Sequence, residues 1–146
     1  MPNSSDWFDP KLWSDLIEDF KEAGSEALKN GVRYLETTTT LFEEAEIRNY
    51  KDYEEILHKD IPDLLKEASK HAGYTCTVYH LKDDVNLPEY VLECVDEKGN
   101  EVTFEVDVNF DCFEEEGVEY CHIHLLGMVA SRGKFPEGYK PYYHEV

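Results

Sequence analysis

The spacing of apolar residues changes near Gly73 and divides the chain in two. Before this glycine, apolar residues recur at helical spacing, and after it they alternate with polar residues as in strands. The length suits one domain. We therefore expect a single domain over residues 1–146, with a helical half (1–73), an antiparallel sheet (74–130) and an aromatic and basic tail (131–146).

Helices are predicted in three parts of the first half. Asp9 and Pro10 suit the start of the first helix, because aspartate caps free N–H groups and proline fits the first turn. Its apolar stripe comprises Leu12, Trp13, Leu16, Ile17, Phe20, Ala23, Ala27 and Leu28. A second helix is expected within residues 32–45, weakened by the threonines at 37–40, and a third around residues 53–68.

Four strands are predicted in the second half, and short polar connections join the last three. They cover residues 74–81, 90–96, 101–113 and 118–129. The expected fold class is therefore α+β, with the N-terminal helical half packed on one face of a C-terminal four-stranded antiparallel meander sheet.

The third predicted strand has one apolar face and one polar, mostly acidic face. The apolar face comprises Val102, Phe104, Val106, Val108, Phe110 and Cys112. The polar face comprises Glu101, Thr103, Glu105, Asp107, Asn109 and Asp111. One face should therefore lie on the core and the other should carry carboxylates.

Turn chemistry predicts the register of the two hairpins. A turn ending at Gly99 would place Cys94 opposite Val102, Leu92 opposite Phe104 and Tyr90 opposite Val106. A four-residue loop over residues 114–117 would place Phe110 opposite Cys121, Val108 opposite Ile123, Val106 opposite Leu125, Asp111 opposite Tyr120, Asn109 opposite His122 and Asp107 opposite His124. Both registers keep apolar residues on one face.

Charge narrows the possible partners. The chain has 33 acidic and 14 basic residues, with a formal net charge of -19. This charge argues against direct binding to nucleic acid or to an anionic membrane, and it favours a basic partner or a cation. The polar start of the chain and the lack of a long apolar run predict a cytoplasmic protein.

The four cysteines are expected to be reduced core thiols, because they lack CxxC spacing and fall in strand-like patterns. They are Cys76, Cys94, Cys112 and Cys121.

The nearest arrangement to a chemical site is His122 and His124 beside Asp107 and Asp111. Such groups can ligate a metal or exchange protons. Cross-strand pairing of histidine with aspartate is the more common reason for the pattern. No nucleophile, phosphate-binding or metalloprotease motif occurs in the sequence. We therefore expect no enzyme activity and assign no catalytic residue, metal ligand or cofactor.

The excess of acids is concentrated in the second half. Fourteen acidic residues and one base, Lys98, lie between Asp83 and Ser131. Like charges on neighbouring strands destabilise the fold, so such a face calls for a functional reason or for a salt-adapted proteome. The functional hypothesis is an immunity-type inhibitor that covers the cleft of a basic toxin such as a nuclease. Alternatives are a phage-type antagonist that mimics DNA, and a small-molecule or metal-binding domain.

The tail has a different character, since it interleaves bases with aromatic residues and prolines. It could pack over the domain or supply a binding anchor, because tyrosine is common at interface hot spots. The predicted partner-binding residues are Glu101, Glu105, Asp107, Asp111, Glu114, Glu115, Glu116, Tyr120, His122, His124, Tyr139 and Tyr142.

Overall fold

The computed structural model describes residues 7–82 and 88–146, and within them it forms one antiparallel sheet with two helical segments. The elements are α1 (Ser14–Asn30), β1 (Val32–Glu36), β2 (Thr40–Ile47), α2 (Tyr50–Glu55), α3 (Ile61–His71), β3 (Tyr74–Leu81), β4 (Glu89–Asp96), β5 (Glu101–Glu115), β6 (Val118–Arg132) and β7 (Tyr143–Glu145). A π-helical turn (Ile56–Asp60) joins α2 to α3, and a 3-10 turn (Lys140–Tyr142) precedes β7.

The described part of the sheet has seven strands in the order β1-β6-β5-β4-β3-β7, and β2 also pairs with β6. The described strands pair with one another in antiparallel fashion. The chain is therefore α+β, but a helical half packed on a four-stranded meander is the wrong architecture. Strands β1 and β2 lie in the half expected to be helical, and β7 lies in the tail.

The second predicted helix is the main error. Gly31 ends α1 at a φ of 93°, and β1 then pairs with the second half of β6 while β2 pairs with its first half. Threonine is a weak helix former and favours extended backbone, so the run of threonines at 37–40 disfavours a helix. Pairing with the long β6 strand outweighs the loose helical spacing of residues 32–45, because tertiary contacts override weak local preferences.

The core lies between the helices and one face of the sheet, which we call the inner face. Phe20 of α1 packs edge-on against Phe104 of β5, with ring centroids 5.1 Å apart. Gly24 brings α1 close to the sheet, since a Cβ there would collide with the Tyr74 hydroxyl. The largest fully buried side chains are Tyr90, Phe20, Phe104, Leu16, Leu41, Ile61, Leu64, Leu65, Leu92, Ile123, Leu125 and Met128.

The β4–β5 register is confirmed, with Cys94 opposite Val102. The β5–β6 register is wrong by two residues from Val108 to the turn, and by three before Val108, because a bulge interrupts the ladder between Asp107 and Val108. The ladder continues to Glu115 opposite Val118, which leaves a two-residue turn instead of a four-residue loop. The observed pairs include Cys112–Cys121, Phe110–Ile123, Val108–Leu125, Val106–Met128, Asp111–His122 and Asn109–His124. Because the shift between Val108 and the turn is even, each side chain there keeps its predicted face.

The expectation of reduced thiols is also wrong, since the structure contains the disulfides Cys76–Cys94 and Cys112–Cys121. Each bond joins residues that are directly opposite each other on neighbouring strands. Spacing along the sequence did not reveal these pairs, because the cross-strand register creates the proximity.

The tail covers part of the outer face, which is the sheet face opposite the helices. Phe135 is 3% exposed, and its ring centroid lies 5.6 Å from Tyr79 and 5.1 Å from Tyr143. Nearby, Lys140 pairs with Glu93 at 3.6 Å. The tail thus packs on the domain, which is one of the two alternatives expected from the sequence. None of the helices within the described residues has the length and apolarity needed for a membrane crossing.

Candidate binding surface

The β5–β6 hairpin extends beyond the part of the sheet where β4 pairs with β5. The register of β4 on β5 runs from Glu101 to Asp107, whereas β5 continues to Glu115. We call residues 109–122 the hairpin tip. It carries five acidic residues and neither lysine nor arginine. Its acids are Asp111, Glu114, Glu115, Glu116 and Glu119, each of them exposed.

A tight turn shapes the tip. Glu116 and Gly117 adopt φ values of 53° and 81°, as the two central residues of a two-residue hairpin loop do when both are left-handed. Glycine takes this conformation freely, whereas a glutamate there is strained by about 1 kcal/mol. The turn therefore holds an acidic residue where asparagine or glycine would be more stable.

Aromatic rings lie among the carboxylates on the outer face of the tip. Phe113 stacks on Tyr120 with ring centroids 5.7 Å apart and on His122 at 5.5 Å. Phe113 is 39% exposed although it is large and apolar. The tip thus combines negative charge with an accessible aromatic stack.

A cleft of about 340 Å³ lies beside this stack. Its lining residues are Thr40, Glu43, Glu44, Asp111, His122 and His124. Shifts in the β2–β6 register flank Phe42, so β2 has bulges here, and bulges commonly redirect side chains near functional sites. The Asn109 amide lies 3.3 Å from the His124 Nε2. The carboxylates can accept charge-assisted hydrogen bonds from a lysine or an arginine.

Internal bases do not neutralise the tip. In the parts of the chain that the structure describes, acids of α1, β2, β4, β5 and the tail form ion pairs, and the tip acids do not. Asp107, farther along the outer face of β5, has a raised pKa because the surrounding protein partly desolvates its carboxylate. The tip acids remain available to an external cation.

The structure brings only some of the predicted residues together. Asp111, His122 and His124 line the cleft, and the tip also contains Glu114, Glu115, Glu116 and Tyr120. Glu105 and Asp107 continue the same outer face along β5.

Three predicted residues lie apart from the tip. Glu101 is ten residues from Asp111, about 33 Å along the strand, and it pairs with Lys134 at 3.8 Å. Tyr139 and Tyr142 are exposed in the tail, next to β7.

The sequence prediction missed the residues that β2 contributes to the cleft, because that segment was expected to be helical. The run of threonines at 37–40 was the available signal for a strand. The expected pairing of His124 with Asp107 is wrong, since Asn109 lies opposite His124 and Gly127 lies opposite Asp107. Among the described residues, the groups of three side chains close enough to share a metal ion do not include His122 or His124.

The chain matches no protein-family model, and no curated protein or solved structure shows a significant similarity to it. The evidence for function therefore lies in the chemistry of the tip and of the adjacent cleft.

Proposed function

We propose that the protein is a binding protein that uses the hairpin tip to occupy a cationic cleft of a basic partner. An immunity-type inhibitor of a toxin such as a nuclease is the simplest role of this kind. The observation that carries the proposal is a concentration of five acidic side chains around an exposed aromatic stack on one hairpin. These acids form no ion pair with the residues that the structure describes.

Charge and aromatic residues would contribute differently to binding. The carboxylates speed association with a positively charged surface and select against acidic competitors. Phe113 and Tyr120 provide apolar area that can be buried at the centre of an interface, where aromatic residues supply much of the affinity. Since acidity alone would give weak and salt-sensitive attraction, the aromatic stack is an essential part of the proposal.

The tip is held in shape before it meets a partner. Strand β2 pairs with β6 from Ile47 opposite Glu119 to Thr40 opposite His124. The Cys112–Cys121 disulfide links the two strands of the hairpin. On the inner face, the Tyr53 ring lies 5.6 Å from Phe110. Such preorganisation lowers the entropy lost on binding.

The proposal gives the protein no catalytic role. The cytoplasmic location expected from the sequence stays a prediction. The two disulfides are instead typical of oxidising compartments. Thiol alkylation and mass measurement of the protein from its native cells would distinguish the two locations, since reduced cysteines are alkylated and disulfides are not.

The test compares two variants that change net charge equally. Glu114→Lys with Glu115→Lys reverses the tip, and Glu18→Lys with Glu22→Lys reverses two exposed acids of α1. Proteins captured from the native host at low salt are eluted by rising salt, identified, purified and titrated against each variant. We expect the tip variant to lose at least about 100-fold in affinity, while the α1 variant changes by less than about threefold.

Equal losses in the two variants would contradict the proposal, because only net charge would then matter. Retained binding by the tip variant would contradict it as well. The identity of the captured partner separates two kinds of target. If the partner is a host nucleic-acid-binding complex and not a toxin, the protein is a DNA mimic rather than an immunity protein.

A further inference from the structure

Three histidines from separate elements meet on the inner face at the β3–β7 edge of the sheet. His80 lies in β3, His144 in β7 and His58 in the π-helical turn. The ring centroid of His58 is 5.3 Å from those of His80 and His144, which are 5.5 Å apart. One ring nitrogen of each histidine lies within 4.8 Å of the other two. We propose that these imidazoles bind a divalent transition-metal ion, with zinc as the best fit.

The fold places the three rings by independent means. His80 and His144 are directly opposite in the β3–β7 ladder, so their side chains share a face at close range. The Tyr90 hydroxyl donates a 2.7 Å hydrogen bond to the Leu57 carbonyl, which fixes the chain just before His58. The turn itself is π-helical, a rare conformation that is frequent at functional sites.

The protonation state of His80 and His144 favours metal binding. His80 is 4% exposed. Burial, followed by the nearby His58 and His144, lowers the pKa of His80 to about 4. The pKa of His144 is lowered by burial, by His58 and by Lys82. Neutral imidazole is the form that ligates a metal, so no proton has to be displaced from His80 at neutral pH.

Small side-chain movements would complete the site. Zinc–nitrogen bonds of 2.0–2.1 Å place tetrahedral ligand atoms about 3.4 Å apart, so the nitrogens must approach by up to about 1.4 Å. His58 is exposed and His144 is half-buried, so both rings can turn towards the buried His80. Three protein ligands leave a fourth position for water or for a small ligand, as at many catalytic zinc sites.

The other candidate group in the described residues is less suitable. It comprises Cys112, Glu119 and Cys121, but both sulfur atoms belong to a disulfide and are not thiolates. Imidazole suits zinc, copper, nickel and iron, and zinc does not require a redox partner. The histidine group also lies away from the hairpin tip, so this proposal is independent of the basic partner.

The experiment is calorimetric titration of Zn²⁺, and separately of Co²⁺, into the full chelator-treated chain with its disulfides intact. We expect one ion per chain, a visible Co²⁺ absorption spectrum and a higher unfolding temperature with Zn²⁺. His58→Ala should weaken Zn²⁺ binding by at least about 100-fold. Because His58 is exposed, this variant should keep its fold, which circular dichroism can verify.

The matched control is His122→Ala with His124→Ala, which removes two imidazoles from the outer face and should leave Zn²⁺ affinity unchanged. Unchanged affinity in both His58→Ala and His144→Ala would overturn the proposal. Loss of binding in the control alone would also overturn it, because the ion would then occupy the outer cleft. Less than one ion per two wild-type chains at saturating zinc would do the same.

Discussion

The two ends of the β5–β6 hairpin belong to one continuous ladder but are surrounded very differently. At its base, around Phe104, α1 covers the inner face and the tail lies over part of the outer face. Thr103 faces outward there and is nevertheless buried, with its hydroxyl bonded to the Gly133 carbonyl. At the tip, Phe113 remains substantially exposed among carboxylates. The same strands are thus packed into the domain at one end and exposed at the other.

This difference indicates where the sequence is constrained by stability. Side chains at the base contribute through burial, at roughly 1.5–3 kcal/mol for each large apolar group. Carboxylates at the tip repel one another across the hairpin, with Glu114 opposite Glu119. If the proposed function holds, substitutions at the base change unfolding and substitutions at the tip change binding.

The largest expected effect is at the base. Phe104→Ala should lower the free energy of unfolding by about 4 kcal/mol, because the ring is fully buried between Phe20 and Tyr74. Phe113→Ala at the tip should cost about 1 kcal/mol or less. Denaturant unfolding without reductant measures both values. Similar losses for the two variants would show that base and tip do not differ in this way.

The two disulfides provide a second comparison. Replacing Cys76 and Cys94 by alanine should cost about 3 kcal/mol, and replacing Cys112 and Cys121 about 2.5 kcal/mol, because the second bond closes the shorter loop. Packing should widen the difference slightly, since Cys94 and Cys121 are both core residues, whereas Cys76 is half-buried and Cys112 is exposed. Denaturant unfolding of the two double variants measures which loses more stability. A larger loss on replacing Cys112 and Cys121 would contradict the prediction.

Buried and exposed aromatic residues of the tail should also differ in their contributions to stability. Phe135→Ala should destabilise the protein by about 2 kcal/mol, less than Phe104→Ala, because a surface segment can settle over the space that the ring leaves. Tyr139→Ala with Tyr142→Ala should change stability little, since these side chains are 59% and 63% exposed. Thermal unfolding tests this expectation, with the tyrosine variant as the control. A larger loss of stability in the tyrosine variant than in Phe135→Ala would contradict it.

The base was largely predictable from sequence. Its alternation assigns faces correctly, and Gly99 in the left-handed region gives the expected β4–β5 register. The second register failed because a run of three glutamates was expected to form a loop, whereas the last of them occupies a strained position in a two-residue turn. Local propensity does not predict a residue that is placed against its preference.

The parts that failed depend on distant pairing. Strands β1 and β2 form because they pair with β6, and the local spacing of apolar residues could not reveal this pairing. The cleft therefore contained residues from β2 that no motif indicated. His58, His80 and His144 are separated by 22 and 64 residues, so only the folded β3–β7 ladder and the π-helical turn bring them together.

The smallest expected effect concerns the turn itself. Glu116→Asn should stabilise the protein by about 0.5–1 kcal/mol, because asparagine tolerates the left-handed conformation that strains glutamate. Glu115→Gln is the control, since it removes one charge from the same tip without altering a left-handed residue. Unfolding at low and at high salt separates the two contributions. Relief of repulsion is screened by salt, whereas relief of backbone strain is not.

The two variants also test why the turn retains glutamate. If charge at the tip serves binding, Glu116→Asn and Glu115→Gln should weaken the partner's association by similar factors, although only the first gains stability at high salt. Equal stability of the two variants at high salt would show that the Glu116 backbone is not strained. A stabilised Glu116→Asn with undiminished binding would leave the strained glutamate without a role in recognition, and it would remove one support for the proposed function.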